Sequence, residues 1–151
     1  MSKRILVPLD LTVEAEAVLP LVADAARGGG GAVRLLHVAP FAENVVDADG
    51  RVVVYADQEM TRFEAEATDY FSTIEAKLDG IPVEGTVRFG DPVDEILLEA
   101  DRFGPELIVL STRGSHPLTR LVLGSTADQI CRRTEAPVVI FRPARDPAAC
   151  R

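Results

Sequence analysis

Residues 3–38 read KRILVPLDLTVEAEAVLPLVADAARGGGGAVRLLHV, and the reading of this stretch decides the fold. Its two ends, Lys3–Pro8 and Ala32–Val38, are short apolar runs with β-branched members, bounded as strands are. Between them Val13–Arg27 is rich in alanine, with its apolar residues at helical spacing. Strand, helix and strand in this order make a βαβ unit, whose two strands lie parallel. Thr12 is placed to cap the helix, Glu14 and Glu16 suit the positive end of its dipole, and Gly28-Gly-Gly-Gly31 ends it. Pro20 falls inside this helix and should bend it, because an interior proline costs about 3 kcal/mol or more in a straight one.

Beyond this unit the same alternation continues. Residues 39–54 carry the turn chemistry of Pro40, Asn44, Asp47, Asp49 and Gly50 and read as a mobile loop. Met60, Phe63, Ala67, Phe71, Ile74 and Leu78 then recur at spacings of three and four, which predicts a long helix over Tyr55–Leu78. Its acids, Glu59, Glu64, Glu66 and Asp69, read as a solvated face. A strand over Pro82–Phe89, a helix over Pro92–Phe103, a strand over Leu107–Leu110, a helix core over Thr126–Arg133 and a strand over Pro137–Phe141 complete the pattern. Five strands alternating with helices predict an α/β fold, a single-domain open parallel sheet with helices on both faces. In such sheets ligands bind beyond the carboxyl ends of the strands, at the switch point. Three segments fall there: Pro8-Leu9-Asp10, His37-Val38-Ala39 and Ser111–Gly114.

The bulk properties suit that picture. A chain of 151 residues with 47% hydrophobic content is long enough for one domain with a sizeable core. Two cysteines, Cys131 in a helical pattern and Cys150 near the end, form neither a disulfide framework nor a CxxC metal site, so a reducing cytoplasm is the expected compartment. The apolar run at Ile5–Leu9 is broken by Pro8 and stopped by Asp10, too short for a signal peptide, and no run approaches a membrane span. A net charge of −8 argues against nucleic-acid backbones and anionic membranes as partners. An anionic small molecule would need local positive charge, and between Leu107 and Thr134 the only acid is Asp128 against Arg113, Arg120, Arg132 and Arg133. Arg132 and Arg133 read as the wet face of a helix, whereas Arg113 and Arg120 flank a glycine loop.

That loop runs from Ser111 to Thr126 and contains Gly114, nine residues, then Gly124-Ser125-Thr126 at the start of a helical pattern. Glycines allow close approach of a ligand, and a helix N-terminus offers unpaired N–H groups with partial positive charge, so the loop is a candidate anion cradle. Ser125 and Thr126 add hydroxyl donors. Asp10 can accept hydrogen bonds from ribose hydroxyls, or cap the helix that follows; Val38 can offer backbone groups and an apolar wall to a base. Both glycines also have a reading as ordinary turn residues. His37 reads as a satisfied strand-end residue and His116 as an exposed loop residue, with no metal-ligand spacing around either. The chain contains no Walker A loop, no GxGxxG phrase and no GxSxG elbow, which leaves the corresponding lysine-based, dinucleotide and hydrolase chemistries without candidates.

Five phrases, ILVPLD at 5–10, LLHV at 35–38, VRFGDPVDEILLEA at 87–100, ELIVLSTRG at 106–114 and the Gly124-Ser125 helix start, resemble the universal stress protein family over nearly the whole chain. The resemblance implies a Rossmann-like sheet of order 3-2-1-4-5, similar to that of the adenine nucleotide alpha hydrolases, in a domain over residues 1–143 with a disordered tail at 144–151. It also implies membership of the family's ATP-binding subgroup, whose motif is Gly-x2-Gly-x9-Gly-Ser/Thr. The chain matches that motif from Gly114 onward and has Ser111 where the first glycine stands. Carried over residue by residue, the pattern puts Pro8, Leu9, Asp10 and Val38 at ribose and adenine. It puts Leu110, Ser111, Arg113 and Gly114 along ribose and triphosphate, and Gly124, Ser125 and Thr126 at phosphates. If the first glycine serves a positive φ, serine there is strained by roughly 1 kcal/mol or more; if it serves closeness, a small hydroxyl side chain fits. The implied ligand is ATP, with or without Mg²⁺, held as a signal in a cytoplasmic protein with at most weak hydrolysis. The implied assembly is a homodimer through Val138–Phe141, an apolar strand at a sheet edge. A dimeric interaction module without nucleotide is the alternative, and a slow ATPase a further one.

Overall fold

A computed structural model describes residues 3–11, 14–41, 43–111 and 125–141 of the protein. Strand β1, Arg4–Pro8, leads to a 3₁₀ helix, Glu14–Val18, that runs directly into α1, Leu19–Gly29, and on to β2, Ala32–Ala39. Two short strands follow, β3, Val45–Val46, and β4, Val52–Val54, and then the long helix α2, Ala56–Lys77. The remaining elements are β5, Val83–Phe89; α3, Pro92–Phe103; β6, Leu107–Ser111; α4, Ser125–Arg133; and β7, Val138–Phe141. The main sheet has the order β5-β2-β1-β6-β7 with every pair parallel. Counted among its own five members this is 3-2-1-4-5, the expected order.

Alternation along the strands divides the core into two layers. Ile5, Val7, Val33, Leu35 and Val109 point to one face and pack against Val22, Ala26, Ala67, Phe71 and Ile74 of α1 and α2. Leu6, Leu36, Ile108 and Leu110 point to the other, against Val93, Ile96 and Ala100 of α3 and Ala127 and Ile130 of α4. Because both faces are covered, the central strands read as continuous apolar runs. At the β5 side, Glu99 of α3 is only 2% exposed and is held by Arg34 Nη1 at 2.7 Å and Arg88 Nε at 3.1 Å. Arg34 also pairs with Glu84 and lies 4.2 Å over the Phe103 ring. A buried carboxylate is tolerable here because both of its oxygens are bonded to cations.

Two expectations are corrected. Pro20 does not bend a continuous helix: the α-helical geometry begins at Leu19, with Pro20 in its first turn and the 3₁₀ helix before it. Proline's missing N–H costs nothing in a first turn, and its fixed φ suits the start of a helix. Thr12, the expected cap, lies outside the described residues, while the helix ends as expected at Gly30, in the left-handed conformation, whose N–H donates to Ala26 O. The stretch 39–54 is not a plain loop but holds an antiparallel hairpin, with Val45 opposite Val54 and Val46 opposite Val52. Asp47 closes its turn, with Oδ1 accepting from the N–H groups of Asp49 and Arg51 at 2.9 Å each. The turn residues were recognised as such, and the β-branched valines on either side make the strands. Among the described residues no helix is long and apolar enough to cross a membrane.

Candidate functional site

The carboxyl edge of the sheet is built on β1 and its two neighbours. After Pro8 the chain stays clamped to β2: Leu9 N–H donates to Leu36 O at 2.7 Å, and His37 Nδ1 donates to Leu9 O at 2.9 Å. His37 is therefore the satisfied strand-end residue that was expected. Leu9 is buried in the core, Pro8 is half-buried, and Asp10 is exposed at the rim. Leu11 then takes a φ of +62°, the only non-glycine among the described residues with a positive value. For a side-chain-bearing residue that conformation costs roughly 1–2 kcal/mol, and nothing in the sequence signals it. Val38 is half-buried beside its register partner Arg88 of β5, and Leu110 is buried with Ser111 half-buried at the end of β6.

Ser111 is paired with Phe141 of β7 as ordinary extended strand and has no positive φ. The strained reading of serine at this position is thereby removed. α4 is the return leg from the carboxyl edge of β6 to the start of the parallel β7, and Ser125 and Thr126 open it on the side of that edge. Thr126 is half-buried. Arg132 and Arg133 lie on the wet face as expected, paired with Asp128 and Asp94. Arg113, Gly114, Arg120 and Gly124 lie outside the described residues, as does His116.

Placed together, then, are Pro8, Leu9, Asp10, Val38, Leu110, Ser111 and the start of α4. β1 has β2 on one side, reached through α1 on one face, and β6 on the other, reached through α3 on the opposite face. This divergence of crossovers is the switch point, where helix N-termini and strand ends leave a crevice. The arrangement offers an acidic hydrogen-bond acceptor, apolar walls and hydroxyl donors, which suits a ligand with a sugar, a base and an anionic group. Tyr70 of α2 joins the surroundings of Asp10: burial pushes its phenol up to about 12, and the carboxylates of Glu16 and Asp10 add to the effect. A groove of about 330 Å³ lined by Glu16, Leu19, Pro20, Ala23, Arg27 and Lys77 holds a 3.0 Å Lys77–Glu16 ion pair and shares no residue with the strand-end cluster. Among the described residues no group of three or more His, Cys, Asp or Glu is disposed to hold a metal ion.

Residues 1–142 match the model of the universal stress protein family. The chain belongs to that family. It is 24% identical over 155 residues to universal stress protein MJ0577 of Methanocaldococcus jannaschii, spanning 94% of this chain and 96% of that protein. Universal stress protein G of Shigella flexneri is 27% identical over 143 residues, spanning 94% of this chain and 100% of its own. Among solved structures, that of MJ0577 superposes with a TM-score of 0.78 over 97% of this chain and 99% of its own, at 24% identity. A universal stress protein from Archaeoglobus fulgidus in complex with dAMP superposes with a TM-score of 0.62 over 91% and 96% at 21% identity. At these identities the superpositions speak for the fold.

Proposed function

We propose that this member of the family binds ATP in the crevice at the switch point and works as a nucleotide-responsive regulator in the cytoplasm. The observation that carries the reading is the convergence of Asp10, Val38, Ser111 and the first turn of α4 at the carboxyl edge around β1. Asp10 would receive ribose hydroxyls and Val38 would wall the base, with Pro8, Leu9 and Leu110 as floor. Ser111, Arg113, Gly114, Gly124, Ser125 and Thr126 would follow the phosphates, with Mg²⁺ where the phosphates carry it. The extended backbone of Ser111 supports this, because it carries the serine without strain, and a small hydroxyl there would leave room for a ligand. So does the dAMP held by the Archaeoglobus relative. With cellular ATP at about 100 times Kd, binding would stabilise the fold by about 2.7 kcal/mol, enough to couple nucleotide level to the state of the molecule. Asp10 and the hydroxyls of Ser111, Ser125 and Thr126 are read as binding groups with no catalytic role assigned to them, so the nucleotide is a ligand in this reading, with at most weak hydrolysis.

The test is to identify nucleotide retained by the purified protein and titrate ATP calorimetrically, with Mg²⁺, into wild type and Gly124→Val. Binding in wild type and its loss in the variant are expected. No heat in wild type would sink the reading in favour of an interaction module. Single-turnover release of labelled phosphate near 1 s⁻¹, within the ordinary enzyme range, would show an ATPase instead.

A further inference from the structure

We infer that Phe41 is a stacking platform for the base, an inference that rests on the nucleotide reading above. Phe41 is 73% exposed, more than any other large apolar side chain among the described residues. It stands two residues beyond the end of β2 and three beyond Val38, so it sits at the same carboxyl rim as the candidate base wall. Its place is built rather than incidental. Gly90, the first residue after β5, donates its N–H to Ala39 O at 2.9 Å and so carries the β2–β5 pairing past the strand ends. The ring atoms Cε2 and Cζ of Phe41 lie 3.3 and 3.4 Å from the point that a Cβ on Gly90 would occupy, and Glu95 Oε1 lies 3.3 Å from it. A Cβ at 90 would crowd the ring edge by a few tenths of an ångström, and the φ of +137° there favours glycine.

Gly90 thus leaves room for one edge of the aromatic ring, most of whose surface is open to solvent. An exposed aromatic ring at the strand-end rim is what a planar base stacks on, and such stacking tolerates any base because every base has a π-face. Phe41 then contributes affinity for the base and none for the phosphates, which separates it from Ser125 and Thr126. Larger purine bases should gain more from it than pyrimidines.

The chain has no tryptophan, so Phe41→Trp installs a single reporter at the platform. Its emission should be quenched by ATP and left unchanged by inorganic tripolyphosphate. In calorimetry, Phe41→Ala should weaken ATP about tenfold; tripolyphosphate binding should not change. Phe41→Leu, which keeps apolar area without the π-face, should fall on the weak side as well. Equal ATP affinity in wild type and Phe41→Ala, or quenching by tripolyphosphate alone, would overturn the platform and leave the nucleotide site standing. Absence of ATP binding in wild type would overturn both together. Because Phe41 is exposed, an unchanged melting curve in all three variants is expected and keeps the comparison about binding.

Discussion

Gly85 is exposed in the edge strand β5, a position where alanine is usually harmless, yet a Cβ there would lie 2.3 Å from Phe71 Cδ2 and 2.9 Å from its Cγ. Phe71 is only 6% exposed and belongs to the core layer under α1 and α2. Gly85→Ala is therefore expected to lower stability by about 1–3 kcal/mol in urea unfolding, the usual cost of overpacking. Shrinking the ring with Phe71→Leu in the same chain should recover part of the added loss, and additive effects would sink the steric account. The helical spacing marked Phe71 as core, but the approach of Gly85 is a contact between elements and has no local signature. Tyr70 makes a prediction in pH. Its phenol stays neutral up to about 12 in the folded protein, against 10.0 as the ordinary value, because burial and then the charges of Glu16 and Asp10 disfavour the phenolate. The unfolded chain loses this proton first, so the stabilisation is complete below pH 10 and is lost as pH rises from about 10 to 12. In Tyr55→Phe, which leaves Tyr70 as the only tyrosine, the phenolate band should appear near pH 12. Titration near 10 would show that the ring is solvated.

At the scale of elements, apolar spacing located nearly everything. The long helix was expected over Tyr55–Leu78 and those two residues are its N-cap and C-cap; Pro92–Phe103 is α3 to the residue. Asp91 caps α3 by accepting from Asp94 N–H at 3.0 Å, with Pro92 at its first position. Both misreadings fall on short elements. Pro20 looked interior because the helical spacing begins before it, but a 3₁₀ turn shares that spacing closely enough over five residues to extend the apparent helix. If α1 truly starts at Leu19, Pro20→Ala should change stability by less than about 1 kcal/mol. A gain of about 3 kcal/mol would mean that the proline strains a helix interior after all. The hairpin at 45–54 escaped because its strands of two and three residues are too short for a period-two pattern to register.

For the whole molecule, β7 is the edge next to β6, with Val139 36% exposed on it. The homodimer that the family resemblance implies would join two such edges, since an apolar edge strand invites pairing. Val139→Lys should then convert a dimer to a monomer in sedimentation equilibrium with the circular dichroism unchanged; a variant that sediments like wild type would remove β7 from the interface. The sequence alone determined the order of elements, the parallel sheet and the strand ends to which a ligand would go, because apolar periodicity, chain connectivity and the right hand of crossovers are all one-dimensional or local properties. It also marked Asp10, Val38, Ser111 and the start of α4 one by one. The tertiary structure decided that Ser111 is unstrained, that Leu11 is not, that Leu9 faces the core while Asp10 faces out, and that Gly90 leaves room for the edge of Phe41 at the rim. Each of these depends on what lies across a gap from a residue distant in the chain, or on a backbone angle imposed by such a neighbour. Proximity of that kind is created only when the layers close.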